Sequence, residues 1–238
     1  MEIKSLTTAK IEESPWKAIL YGSAGSGKTH LMREFPKPLL LMDFDDKHEP
    51  LIGVEGIDVV SYFTTEPKES PKIFRTFWTD LKSLKKDTKY QTIVIDSLTA
   101  LDRVLVRAAV IEGGRGEFAR AEIQHYGDVK NWYTTIFQAI RGLQGKNVIV
   151  IAHEDYKIAS DSGIHSILPL VTGSTSNEVS SIFKDTWYLE LKKTSDGLQR
   201  VLHYTMFKKC VCTSTTLTGD GIIEEPTYEK LMQTRRKE

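Results

Sequence analysis

Residues 22 to 29 read GSAGSGKT, and no other stretch so narrows what this chain can become. Gly22, four intervening residues, Gly27, Lys28 and Thr29 spell the G-x-x-x-x-G-K-[ST] pattern. In that pattern glycines let backbone N–H groups close around phosphates, the lysine reaches the outer phosphates and the hydroxyl ligates Mg²⁺. The spelling predicts that Gly22, Ser23, Ala24, Gly25, Ser26, Gly27, Lys28, Thr29 and His30 surround the phosphates of a nucleotide. The loop alone does not distinguish ATP from GTP. WKAIL before it is strand-like and THLMREF after it starts a helix, so the anion sits at a helix N-terminus where free N–H groups favour it.

Further strand-like runs follow at 38–43, 57–62, 91–96 and 146–152, with helical stretches between them. That alternation predicts an α/β fold, a mostly parallel sheet covered by helices. One helix follows Pro71, with Ile73, Phe77, Leu81 and Leu84 at helical spacing; two more are expected at about 99–110 and 127–143. Residues 154–177 read as a long polar loop. TWYLELKK, LQRVLHYTMF and a third alternating piece near KCVCTS then predict antiparallel strands at the C-terminal edge. Residues 1–207 form the expected core and 208–238 an extension of it, whose charged end EEPTYEKLMQTRRKE reads as a solvated helix or tail.

Composition limits the partners. Lys+Arg and Asp+Glu both total 32, so the whole chain carries no electrostatic footprint for nucleic acid or membrane. No apolar run approaches membrane-spanning length, and the expected setting is cytoplasmic. Cys210 and Cys212 are too close to staple anything, and C-x-C alone does not complete a metal site.

A loop that hydrolyses ATP also needs a carboxylate for the Mg²⁺ shell and a group to orient the attacking water. Asp96 ends the apolar run TIVI, at the carboxyl end of a buried strand where open α/β sheets bind ligands, and is expected to serve Mg²⁺ together with Thr29. MDFDDKHEP brings Asp43, Asp45, Asp46 and Glu49 within seven residues, which repel unless a cation compensates.

Taken in order, YGSAGSGKTHL, LLLMDFDDKHEP, TIVIDSLTAL and NVIVIAHED resemble the nucleotide-site motifs of the RecA-like recombinase ATPases over about residues 16–190. The resemblance implies a RecA-like core that uses ATP and Mg²⁺. It puts the catalytic acid at Asp45, where the family has a glutamate, so the side chain here is one methylene shorter. It makes His153 the polar sensor of the γ-phosphate. It also implies two loops for single-stranded DNA: 112–124, with Arg115, Phe118 and Arg120, and 154–177, with Lys157, Ser174 and Thr175. The charges of the second loop oppose that role, because Glu154, Asp155 and Asp161 outweigh Lys157.

Lys208 and Lys209 match a cationic pair that reaches across a subunit interface to the γ-phosphate, in a ring or filament of copies of the chain. They equally suit a guarded sheet edge. With some fifteen residues before the first core strand, the likeness is to the small RecA-like ATPases encoded by bacteriophages, including single-strand annealing proteins. That implies recombination in a host-cell cytoplasm, with a single-stranded-DNA-binding protein as a further partner. Two other readings stay open: a nucleotide-gated assembly factor with little turnover, which the short Asp45 favours, and a nucleotide kinase, which the lack of arginine in 154–177 disfavours.

Overall fold

The computed structural model describes residues 14–158, 165–173, 175–195 and 197–235. In chain order the elements are β1 (Lys17–Gly22), α1 (Lys28–Leu31), β2 (Leu39–Asp43), β3 (Ile57–Ser61), α2 (Ser70–Ser83), β4 (Thr92–Asp96), α3 (Leu98–Glu112) and α4 (Ile123–Arg141). There follow β5 (Asn147–Ile158), β6 (His165–Pro169), α5 (Thr175–Ile182), β7 (Asp185–Thr194), β8 (Gly197–His203), β9 (Thr213–Ser214), β10 (Ile222–Glu224) and α6 (Tyr228–Gln233). The strands order as β10-β8-β7-β1-β5-β4-β2-β3, with β6 added to β5 and β9 to β7. From β7 to β3 the neighbours run parallel; β8 and β10 close the other edge antiparallel. This is the α/β architecture expected, with its antiparallel strands at the C-terminal edge.

Every residue of β2 and β4 is buried, as is every residue of β1 after Lys17. Strands covered on both faces read as continuous apolar runs, which is why these were legible as strands. Ile19, Tyr21, Met42, Ile93 and Ile95 pack under α2, α3 and α4. Ala18, Leu20, Leu41, Val94 and Trp187 point to the opposite face, where Leu31 of α1 and Leu231 of α6 cover them. In α2, Phe77 and Leu81 are fully buried, as the helical spacing requires. Helix α4 begins at Ile123, ahead of the expected 127, because the Glu122 N–H donates to His125 Nδ1 at 2.8 Å and caps the first turn.

Three expectations are corrected. Residues 154–177 are not one loop: β5 continues to Ile158 and pairs antiparallel with β6, from Glu154↔Pro169 to Ile158↔His165, and α5 follows. The strand-forming residues are polar on one side, so their order comes from cross-strand pairing and from contacts such as Tyr188 Oη donating to Glu154 Oε2 at 2.9 Å. Near KCVCTS only the two-residue β9 and isolated bridges form, with both cysteines buried in the core. The charged end is not solvated as a whole. Leu231 is fully buried, Thr227 caps α6 by accepting the Lys230 N–H, and the Arg235 guanidinium lies 3.8 Å over the Trp16 ring.

Candidate nucleotide-binding site

The loop 22–27 leaves the carboxyl end of β1 and turns into α1, so its N–H groups face the crevice above the sheet. Gly22 is required by close approach to backbone, and Gly27, packed against a side chain, chiefly by its backbone conformation. A Cβ on Gly22 would sit 2.4 Å from the Leu189 carbonyl oxygen, and one on Gly27 would sit 2.4 Å from Arg200 Nε. Gly27 is also left-handed, at φ 93°. Lys28 is folded back over the loop: its Nζ donates to the carbonyls of Gly22 at 2.9 Å and Ser23 at 2.7 Å. Burial pulls its pKa down to about 8, against the opposing pull of Asp96, Glu154 and Asp45.

Thr29 Oγ1 donates to Asp96 Oδ2 at 2.6 Å. Asp96 ends β4 and is a register partner of Asp43 on β2, which brings two carboxylates side by side. Burial, with Asp45 and Asp43 nearby, pushes Asp96 up to about 6, while the Thr29 hydroxyl pulls it back. Its peptide to Ser97 is cis, and the Ser97 hydroxyl caps α3 by accepting the Ala100 N–H.

The acidic turn is organised by Asp43. Its Oδ1 accepts the N–H groups of Asp45 at 2.9 Å and Asp46 at 3.0 Å, and its Oδ2 meets His48 Nδ1 at 2.8 Å. These bonds all satisfy the Asp43 carboxylate, while the Asp45 side chain lines the crevice. Burial pushes the Asp45 carboxyl up, but His153, Ser97 and Lys47 together bring it below its ordinary value. His153 Nε2 lies 3.7 Å from Asp45 Oδ2, longer than a hydrogen bond. His153 is the register partner of Gly22, which seats it beside the phosphate loop. Its N–H donates to Thr99 Oγ1 at 3.0 Å, that hydroxyl donates to the Leu170 carbonyl, and the Leu170 N–H donates back to the His153 carbonyl.

Lys28, Thr29, Asp45, Asp96 and His153 thus line one open cavity of about 430 Å³. Its lining includes a residue that sequence reasoning missed, Arg200 of β8. Arg200 Nε is buried and meets no hydrogen-bond partner among the described residues. Nothing near Lys28 in sequence could have flagged it; only the placement of β8 beside β7 does. The left-handed glycine, the buried lysine and the Thr29–Asp96 pair fit a nucleotide with its divalent cation.

The remaining candidates lie elsewhere. Arg115 is spent on Glu122 at 2.5 Å, whereas Arg120 is exposed and Phe118 is 80% exposed. Ile123 and Tyr126 are also exposed and were not singled out from the sequence. Lys157 Nζ bonds Ser176 Oγ, Thr175 is buried at the start of α5, and Ser174 lies outside the described residues. Lys208 and Lys209 follow β8 in a turn rather than ending a strand. Lys208 Nζ lies 4.6 Å over the Phe207 ring and 3.8 Å from Glu190, and Lys209 Nζ lies 5.9 Å over Tyr156. Neither lines the nucleotide cavity of its own chain.

Among known families, the AAA domain matches residues 14–212. No curated protein matches the chain. Solved structures with similar folds include the RadB recombinase, at 18% identity over 80% of both chains with a TM-score of 0.46. Another is a KaiC-like protein from the hyperthermophilic archaeon Pyrococcus horikoshii OT3, at 13% identity over 90% of both chains with a TM-score of 0.43. Among the described residues no helix is long and apolar enough to cross a membrane.

Proposed function

This chain belongs to the AAA domain family, and on that premise we propose that it is an ATPase that assembles with copies of itself on single-stranded DNA and promotes annealing or strand pairing. The observation that carries the ATPase reading is the Thr29–Asp96 pair beside Lys28 at the mouth of the phosphate loop. The loop's N–H groups and Lys28 hold the phosphates. Thr29 and Asp96 would hold Mg²⁺, which when bound would supply charge neutralisation in the transition state. Asp45 orients the attacking water, and His153, 3.7 Å from Asp45 Oδ2, is bonded through its backbone to Thr99 and to Leu170, just after β6. Lys208 and Lys209, exposed in the turn after β8, serve a neighbouring copy rather than their own site. DNA contact is proposed for the surface of Arg120 and Phe118, where a base stacks on the exposed ring. The annealing role, with a single-stranded-DNA-binding protein as a further partner, follows the phage-encoded ATPases that the motifs resemble.

A second reading is a nucleotide-gated assembly factor with little turnover. Its support is Asp45, held by the Asp43-anchored turn on a side chain one methylene shorter than glutamate. Steady-state ATP hydrolysis by the wild type and Lys28→Ala, with and without single-stranded oligonucleotide at two salt concentrations, separates the two. Stimulation by DNA that falls with salt and vanishes in the variant supports the DNA-coupled ATPase. Tight ATP binding without turnover in any condition selects the assembly factor.

A further inference from the structure

At the amino-terminal end of the sheet, away from the nucleotide, lies a second cavity of about 480 Å³. Lys17, the first residue of β1, forms part of its wall; Arg141 from the end of α4 and Lys184 just before β7 bring the cations that line it to three. Among the described residues no carboxylate lines it. In a chain whose formal charge is zero, that is a local excess of one sign.

The nearby acids are committed elsewhere. Asp87 pairs with Lys146 at 3.1 Å. Asp185 is fully buried and accepts from Ser214 and Thr216. Lys17 has a structural role, donating to the carbonyls of Leu143 at 2.6 Å and Lys146 at 2.5 Å after the end of α4. Arg141 and Lys184 are both exposed, and among the described residues neither has a carboxylate within ion-pair distance. The partial negative charge at the α4 C-terminus, about half an elementary charge, does not balance three full ones. Burial and the charges of Lys146 and Lys184 depress the Lys17 pKa to about 8, so Lys17 and Lys184 feel one another.

We propose that this cavity binds backbone phosphates of single-stranded nucleic acid. The inference rests on the nucleic-acid reading above and moves the electrostatic part of it to the opposite end of the sheet. It accounts for how a chain with acidic residues at the start of its β5–β6 hairpin engages a polyanion. Base stacking on Phe118 and phosphate capture by Arg141 and Lys184 are then separate contributions.

The test is fluorescence anisotropy of a labelled oligo-deoxythymidine against wild type, Arg141→Glu/Lys184→Glu and Arg141→Gln/Lys184→Gln across a salt series. Binding of a fluorescent ATP analogue serves as the control for folding. Each phosphate contact on a single strand contributes about 0.7 to the slope of log K against log salt. Losing two contacts lowers the slope by about 1.4 and the affinity by about tenfold or more at low salt, with the neutral variant weakened less than the reversed one. ATP-analogue binding stays unchanged. Oligonucleotide binding with wild-type affinity and slope in both variants overturns this site and leaves the nucleic-acid reading standing. No binding by the wild type overturns both.

Discussion

Thr29 Oγ1 and Asp96 Oδ2 are hydrogen-bonded at 2.6 Å across the gap between α1 and β4, so the two groups that a divalent cation would share already converge. The carboxyl partner is the more informative, because burial pushes it up to about 6. Below that pH Asp96 is protonated and cannot hold the ion; above it the carboxylate forms. The kcat/KM for ATP therefore shows an acid limb near pH 6 that moves to lower pH as Mg²⁺ is raised, since metal competes with the proton. Asp96→Asn lowers turnover by about a hundredfold or more. A limb that ignores Mg²⁺ would detach it from Asp96.

Lys28 sets the opposite limit. Its pKa is held near 8 by burial, so the free loop loses its cation as pH rises through that value. Affinity for a fluorescent ATP analogue is expected to weaken above pH 8. Lys28→Ala costs about ten- to a hundredfold in affinity, the range of a charge-assisted hydrogen bond, and removes the alkaline limb.

Asp45→Glu lengthens the side chain toward the crevice by one methylene. If Asp45 orients water at a disadvantage, single-turnover hydrolysis speeds up in Asp45→Glu and falls by about a hundredfold in Asp45→Asn. Equal rates in all three proteins would take Asp45 out of the chemistry and favour the assembly factor.

Arg200 brings to the phosphate loop, from a strand far away in sequence, a buried Nε that has no hydrogen-bond partner among the described residues. Arg200→Gln is expected to weaken ATP binding by about tenfold while leaving the melting temperature within a few degrees of wild type. Calorimetric titration and a thermal melt on the same sample check both halves.

Leu231 is fully buried against the sheet face that carries Leu20 and Trp187. Leu231→Ala therefore costs about 2–5 kcal/mol of stability, read from a urea transition. An effect no larger than that of a surface substitution would mean that α6 is dispensable.

The contrast between Lys28 and Arg200 explains what the sequence carried. Lys28, Thr29 and the glycines act through a backbone turn only a few residues long, and Asp96 is flagged by the buried run before it, so local spelling sufficed to pick them out. Arg200 acts through strand order, which no window of sequence encodes. The β5–β6 hairpin was hidden for a related reason: Glu154, Asp155 and Lys157 are ordered by partners on β6, β7 and α5, not by an apolar pattern of their own. Likewise the charged end of the chain read as solvated because its anchors, Leu231 and Arg235 over Trp16, are single contacts in a polar stretch.

Strand β5 serves two assemblies at once, parallel in the central sheet as far as His153 and antiparallel in the hairpin beyond it. From His153 to Ile158 the chain extends about 17 Å at about 3.3 Å per residue. No glycine or proline interrupts it. The fulcrum of this extended segment would lie beside the phosphate loop, where His153 pairs with Gly22, and simple geometry sets its gearing: a tilt of about ten degrees there would carry Ile158 about 3 Å.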